Sequence, residues 1–229
     1  MGKPIRANEF YHCKFIKSIT LSHGLTEIGK GAFLGCSNLE TVVIPDSVIR
    51  IDPRAFAYSG LKSIILPHGL TEIGENAFYK CCNLENVVIP KTVTKINPYT
   101  FSWSGLKSII LPADGRLTEI NYTFYKCHNL ETVVIPGSVT EIGTEAFAES
   151  GLKSIILPHG LTEIGKYAFY KCRNLETVVI PETVAKIGQY AFADSGLKSI
   201  ILPDGLTEIG KNAFRNCHNL VVQYNNWEK

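Results

Sequence analysis

A seven-residue segment, Leu-Lys-Ser-Ile-Ile-Leu-Pro, occurs four times in this chain, beginning at Leu61, Leu106, Leu152 and Leu197. Between the copies runs a companion, Leu-Glu-Thr-Val-Val-Ile-Pro, beginning at Leu39, Leu84, Leu130 and Leu175, with Asn86 as its one exchange. A fixed period of 45 or 46 residues decides architecture before local propensity does. It marks stacked units that bury their apolar faces against one another. The 229 residues are therefore expected to form one elongated body rather than one or two globular domains.

Each period divides into two turns of a coil. One, of 23 residues, runs from Leu25 to Ser47. The other, of 22, runs from Val48 to Gly69, with Ser-Gly where the first has Cys-x-Asn. The longer turn begins again at Leu70, Leu117, Leu161 and Leu206, the shorter at Val93, Val139 and Val184. A single solenoid over residues 1–229 follows: a partial N-terminal turn (1–24, with Phe10, Cys13 and Ile16 in register), four two-turn units (25–205), and a last turn with a polar cap (206–229), the cap being the stretch from Leu220 to Trp227. Parallel strands joined by such connections favour a right-handed coil. About ten turns at ~4.8 Å give a body roughly 50 Å long.

Within a turn, alternation over Ser63-Ile64-Ile65-Leu66 sends Ile64 and Leu66 inward and Ser63 and Ile65 outward. Pro67 then ends the strand, since it has no N–H to donate. A second, shorter extended piece, Leu70-Thr71-Glu72-Ile73, tucks in its Leu and Ile. The next residue is Gly29, Gly74, Gly143, Gly165, Gly188 or Gly210, but Asp52, Asn97 or Asn121 elsewhere. Residues tolerant of a left-handed backbone imply a positive φ at this corner. A Phe follows each corner, so that ten of the eleven Phe, from Phe10 to Phe214, form one spine.

The run Leu-x-x-Ile-x-Leu-Pro-x-x-Leu-x-x-Ile-Gly-x-x-Ala-Phe-x-x-Cys resembles the leucine-rich repeats of the BspA-like, or Treponema pallidum, type over residues 5–224. The resemblance implies a leucine-rich-repeat solenoid with its parallel sheet on the concave face and short second strands and helical turns elsewhere. It also implies a surface or secreted protein of bacteria and some protists that adheres to host proteins or other cells. The opening residues Met-Gly-Lys-Pro-Ile-Arg lack the apolar centre of a signal peptide.

Composition narrows the function classes. With 23 basic and 21 acidic residues, the chain lacks the charge excess of a nucleic-acid or polybasic membrane surface. No apolar run approaches the ~18 residues of a membrane span. Five of the seven cysteines (Cys36, Cys81, Cys127, Cys172, Cys217) recur at one repeat position, Cys13 extends the column and Cys82 falls outside it. Cysteines two turns apart lie about 10 Å from one another, beyond disulfide reach; only Cys13 and Cys36 sit on adjacent turns. The column reads as small buried residues, with no metal site and no cofactor. The six histidines follow the repeat, and no catalytic constellation stands apart from it. A non-catalytic binding scaffold is expected, with a protein or glycan ligand; a structural spacer that associates with itself is the alternative.

Three surfaces are candidates. Charges alternate after the leading Leu of each strand (Lys17, Glu40, Lys62, Glu85, Lys107, Glu131, Lys153, Glu176, Lys198), which suits a self-neutralising ladder. Beside it runs an outward apolar column that includes Val88, Ile110, Val134 and Ile156. It reads either as strand-favouring filler or as a contact surface, self-association included. The third is the middle of the chain, where the repeat breaks. Ala113-Asp114-Gly115-Arg116 lengthens one join, the next corner is a residue short, Thr100 and Thr123 replace Ala, and Tyr79, Tyr99, Trp103, Tyr122 and Tyr125 gather on neighbouring turns. Aromatic anchors at a departure from a local rule point to recognition there, with Asp114 and Arg116 as polar contributors. Glu119, Glu141 and Glu163 stack on successive turns as a solvated acidic strip or a cation bridge.

Overall fold

The computed structural model describes residues 5–224. Eighteen short strands among these residues, all paired in parallel, are numbered in chain order. The longer ones form the main face: β1 (Ser18–Thr20), β3 (Thr41–Val43), β6 (Asn86–Val88), β8 (Ser108–Ile110), β10 (Thr132–Val134), β12 (Ser154–Ile156), β14 (Thr177–Val179), β16 (Ser199–Leu202) and β18 (Val221–Tyr224). Ser63 completes the series through a bridge to Asn86. The two-residue strands form a second face: β2 (Glu27–Ile28), β4 (Arg50–Ile51), β5 (Glu72–Ile73), β7 (Lys95–Ile96), β9 (Glu119–Ile120), β11 (Glu141–Ile142), β13 (Glu163–Ile164), β15 (Lys186–Ile187) and β17 (Glu208–Ile209). Register is uniform, equivalent residues facing each other from turn to turn, as Ser18 to Thr41 and Ile142 to Ile164. Residues 221–224 stay in this register beside β16 rather than leaving it as a cap; Asn225, Asn226 and Trp227 of the expected cap lie outside the described residues.

The core is the stack of inward columns. The ten spine rings lie nearly parallel at centroid separations between 5.0 and 6.1 Å. The eight from Phe33 to Phe192 are fully buried. Each contributes about 1.5–3 kcal/mol of burial. Alternation on the main face is as expected: Ile64 is 7% exposed and Ile65 85%.

The cysteine column alternates with serine. Cys81, Cys127, Cys172 and Cys217 each lie 3.3–3.5 Å from the Ser of the preceding turn (Ser59, Ser104, Ser150, Ser195), and each thiol donates to the carbonyl of that turn's Phe. Burial pushes the pKa of the Cys81, Cys127 and Cys172 thiols up to about 12. All seven cysteines are free, Cys13 and Cys36 included.

Two details of the turns differ from expectation. No α-helix occurs among the described residues; the expected helical turns are replaced by a ladder of their own. Around each Phe, alternate N–H groups point along the stack to the next turn, as from Gly31, Phe33 and Gly35 to the carbonyls of Pro53, Ala55 and Ala57. The intervening groups bond back three residues, as from Leu34 to Gly31. This alternation needs positive φ twice per turn, two residues before the Phe and two after it, at Asn76 and Lys80 or Tyr99 and Trp103. The corner Gly, Asp and Asn residues do not adopt it. Their selection has another cause. A Cβ on Gly29 would meet the Ile5 carbonyl oxygen at 2.6 Å, and one on Gly74 the Asp52 carbonyl carbon at 2.6 Å. Glycine is there for close approach of successive turns, while Asn97 donates its side-chain amide to the Ile73 carbonyl and Asn121 accepts from Thr144 N–H.

The irregular middle is a seam. The second face divides there into a four-stranded sheet ending at β7 and a five-stranded sheet beginning at β9. The widest ring spacing, 6.1 Å, is between Phe101 and Phe124. The turn ladder crosses it through Phe101 to Thr123 and Trp103 to Tyr125, with Ser102 Oγ donating to the Tyr122 carbonyl. Buried Thr100 donates its hydroxyl to the Asn97 carbonyl and Thr123 to that of Asn121, which accounts for Thr in place of Ala.

Candidate functional site

Side chains at the two positive-φ positions of each turn point away from the core and stack into outward columns. Left-handed backbone costs a residue with a Cβ roughly 1–2 kcal/mol, and Gly or Asn is the low-cost solution. Gly31, Gly35, Asn8, Asn76, Asn212 and Asn216 take it. Tyr58, Tyr99, Trp103 and Tyr122 do not, although their φ values run from 53° to 60°. Backbone geometry alone therefore does not select these aromatic residues.

Tyr58, Tyr99 and Trp103 border a groove of about 880 Å³ that follows the turns across six rungs, from Tyr11 and His12 to Tyr125. Leu34, Gly35 and Ala57 keep its N-terminal part low. Tyr58, Tyr79, Tyr99, Trp103 and Tyr125 rise around the remainder, with Arg54, Glu75 and Asn76 as polar groups. Cations hold the aromatic rings. Lys80 Nζ lies 5.4 Å from the Tyr58 centroid, 5.6 Å from Tyr79 and 5.3 Å from Trp103, and Lys126 Nζ lies 4.5 Å from Trp103 and 5.2 Å from Tyr125. Trp103 is thus held between ammonium groups from the turns on either side, each contact being worth ~0.5–1 kcal/mol at a partly exposed site. The Trp103 ring also meets His128 edge-on at 5.7 Å. Burial lowers the affinity of Lys126 for its proton, but hydrogen bonds and charge at Tyr125 and Glu149 outweigh it and hold the ammonium above its usual range. Burial, then Tyr122 and Glu145, push the Tyr99 phenol up.

The candidate residues read from the sequence separate into three places. Tyr79, Tyr99, Trp103 and Tyr125 line the groove, and Tyr122 packs against Tyr99 at 4.8 Å just outside it. Asp114 and Arg116 are exposed on the join after β8 and do not line it, because that join follows the main strand whereas the groove follows the second. Val88, Ile110, Val134 and Ile156, 59–69% exposed, stand on the main face. Sequence reasoning missed Tyr58, Lys80 and Lys126 as partners of Trp103. Their signal was present, since all occupy the position two after the spine Phe. The acidic strip is real in register, Glu141 facing Glu119 and Glu163. No group of three or more His, Cys, Asp or Glu among the described residues is placed to hold a metal ion. No helix among them is long and apolar enough to cross a membrane.

Fold and repeat define a leucine-rich-repeat protein. The BspA-type leucine-rich-repeat family model matches residues 3–122 and 118–223, and the chain belongs to that family. It is similar to a leucine-rich-repeat protein of Bacteroides ovatus (32% identity, TM-score 0.66, covering 95% of this chain and 69% of the other). It is also similar to a leucine-rich cell-surface protein of Faecalibacterium prausnitzii (27% identity, TM-score 0.60, covering 96% of this chain and 63% of the other). The chain thus spans about two thirds of the length of these relatives. A leucine-rich-repeat protein of T. pallidum shares the fold at 24% identity and TM-score 0.50, over 89% of this chain and 72% of the other. No curated protein matches.

Proposed function

We propose that the chain is a recognition module of a bacterial cell-surface protein, non-catalytic, which holds an extended protein or glycan segment in the aromatic groove of its turns. The observation that carries this reading is the gathering of Tyr58, Tyr79, Tyr99, Trp103 and Tyr125 along one groove. Tyr58, Tyr99 and Trp103 occupy positions where Gly or Asn serves the fold at lower cost, and they line the same groove. Tyr, Trp and Arg are the residues that anchor interfaces. The similarity to a cell-surface protein of Faecalibacterium prausnitzii supports the location.

The test is binding to an array of purified extracellular-matrix proteins and glycans. Trp103→Ala with Tyr125→Ala should lower affinity for the retained ligand at least tenfold with an unchanged circular-dichroism spectrum. Ile110→Lys with Ile156→Lys, on the main face, should leave it intact. Equal binding by the groove variant would remove this reading.

A further inference from the structure

The main face carries two outward columns, one apolar and one of charges paired between neighbouring turns. The outward apolar column runs without interruption over eight turns, from Val43 to Ile201, with Thr20 before it and Gln223 after it. Its members from Val43 to Val179 are 58–85% exposed. A contiguous exposed stripe of this kind marks an interaction surface. The charged column beside it forms discrete pairs: Lys62 with Glu40 at 2.8 Å, Lys107 with Glu85 at 2.8 Å, Lys153 with Glu131 at 2.8 Å and Lys198 with Glu176 at 2.6 Å. Between the columns stand small residues, Ser and Thr with one Asn, which let another sheet approach to the ~10 Å of face-to-face packing.

We infer that this face pairs with the same face of a second copy, antiparallel along the stack, about a two-fold axis that runs in the strand direction between β8 and β10. Such an axis keeps each column facing its own counterpart and reverses only the order of turns. The eight-turn apolar stripe is centred between Ile110 and Val134, so the axis that overlays the stripe on its own reverse is fixed there. Ile110 then lies opposite Val134, Val88 opposite Ile156, Ile65 opposite Val179 and Val43 opposite Ile201.

The charges decide whether this register is allowed. Eight turns are four whole two-turn units, so reversal sends every Lys turn onto a Glu turn. Lys107 meets Glu131, Glu85 meets Lys153, Lys62 meets Glu176 and Glu40 meets Lys198. Each intramolecular pair is thus laid on a reversed pair, and every charge lies directly opposite one of the other sign. The competing arrangement, with the axis along the stack, reverses the order of the columns: centred on the small column it lays charges on the apolar column, and centred on the charged column it lays Lys on Lys and Glu on Glu. The alternation that makes the repeat two turns long is what makes the face self-complementary, as an isologous interface requires. The groove lies on another side of the coil, so the dimer leaves it open and presents it twice.

Sedimentation velocity and crosslinking test this on the whole chain with Cys82→Ser, which removes the one exposed thiol among the described residues. The parent should show a concentration-dependent dimer. Ile110→Lys with Val134→Lys, both outward-facing, should weaken it at least tenfold with the circular-dichroism melt unchanged. With a short bis-maleimide, a mixture of Ile65→Cys and Val179→Cys chains should crosslink at least tenfold more than either alone, since in this register copies of Ile65 lie five turns apart. A monomer up to about 1 mM overturns the proposal, even if the face proves to hold a different molecule. Crosslinking of Ile65→Cys to itself overturns the register.

Discussion

Phe147 sits inside the spine, wholly buried, its ring 5.2 Å from Phe124 and 5.5 Å from Phe169. Truncation to Ala removes the burial of one aromatic side chain and leaves a cavity between two turns, a loss of about 3–5 kcal/mol, part of it from two ring contacts. For a chain of this size each kcal/mol moves Tm by roughly 2–4 °C, so Phe147→Ala should lower Tm by about 6–20 °C. Phe214 is the internal control. It is half-buried and stacks on Phe192 alone among the described residues, at 5.7 Å, so Phe214→Ala should cost about half as much. Thermal melts followed by circular dichroism compare the two. Stability in a solenoid is a sum of turns and nearest-neighbour interfaces. Equal losses at the two positions, or a loss below about 1.5 kcal/mol at Phe147, would refute the view that ring stacking between turns holds the coil together.

Further outcomes follow from the same structure. Burial, then Glu163 and Glu119, raise the Glu141 carboxyl above its usual range. The folded state therefore holds this proton longer than the unfolded state. The contribution is fully present below the ordinary carboxylate range and is lost as pH rises through the raised value. Glu141→Gln should stabilise by about 0.5–1 kcal/mol at neutral pH and change little below about pH 4, as urea titrations at the two pH values would show. A thiol reagent on the native protein should modify Cys82 promptly and reach Cys81, Cys127 and Cys172 only on unfolding, since their thiols are buried, with pKa pushed up to about 12; fast labelling of these three would contradict the buried Cys–Ser column. Glu145, at φ 50° with its carboxyl raised by burial and by Glu149, should gain about 0.5–1 kcal/mol of stability on exchange for Asn, measured by the same urea titrations.

Much of this was legible in the sequence because a solenoid writes each contact many times. The Phe spine, the inward and outward positions around Ile64 and Ile65, and the buried column of Cys81, Cys127 and Cys172 follow from period and alternation alone. The corner glycines were legible as special positions but not for the right reason. A Cβ at Gly74 would strike the backbone of the turn below, a constraint that belongs to the stacked structure and not to the dihedral preferences of one residue. Positive φ falls instead on residues such as Lys80 and Trp103, whose side chains give no hint of it; the ladder between turns imposes it. For the same reason the expected helical turns are absent: N–H groups that would close a helix are drawn alternately to the next turn. The aromatic cluster was visible as a departure from the repeat, yet Asp114 and Arg116, equally irregular, stand apart from it. Proximity along the chain at a seam does not mean proximity on the same side of a coil.

The claim that the aromatic groove is the recognition surface is tested most directly through Trp103. The chain has two tryptophans, so Trp227→Phe leaves Trp103 as the single tryptophan, excited selectively at the red edge of its absorption. Titration with a ligand retained on the array should change its emission along the binding isotherm, and Lys80→Ala with Lys126→Ala should weaken that isotherm at least tenfold. A ligand that binds at full affinity while Trp103 emission stays constant, and that still binds the Trp103→Ala, Tyr125→Ala chain, would place recognition elsewhere and contradict the account.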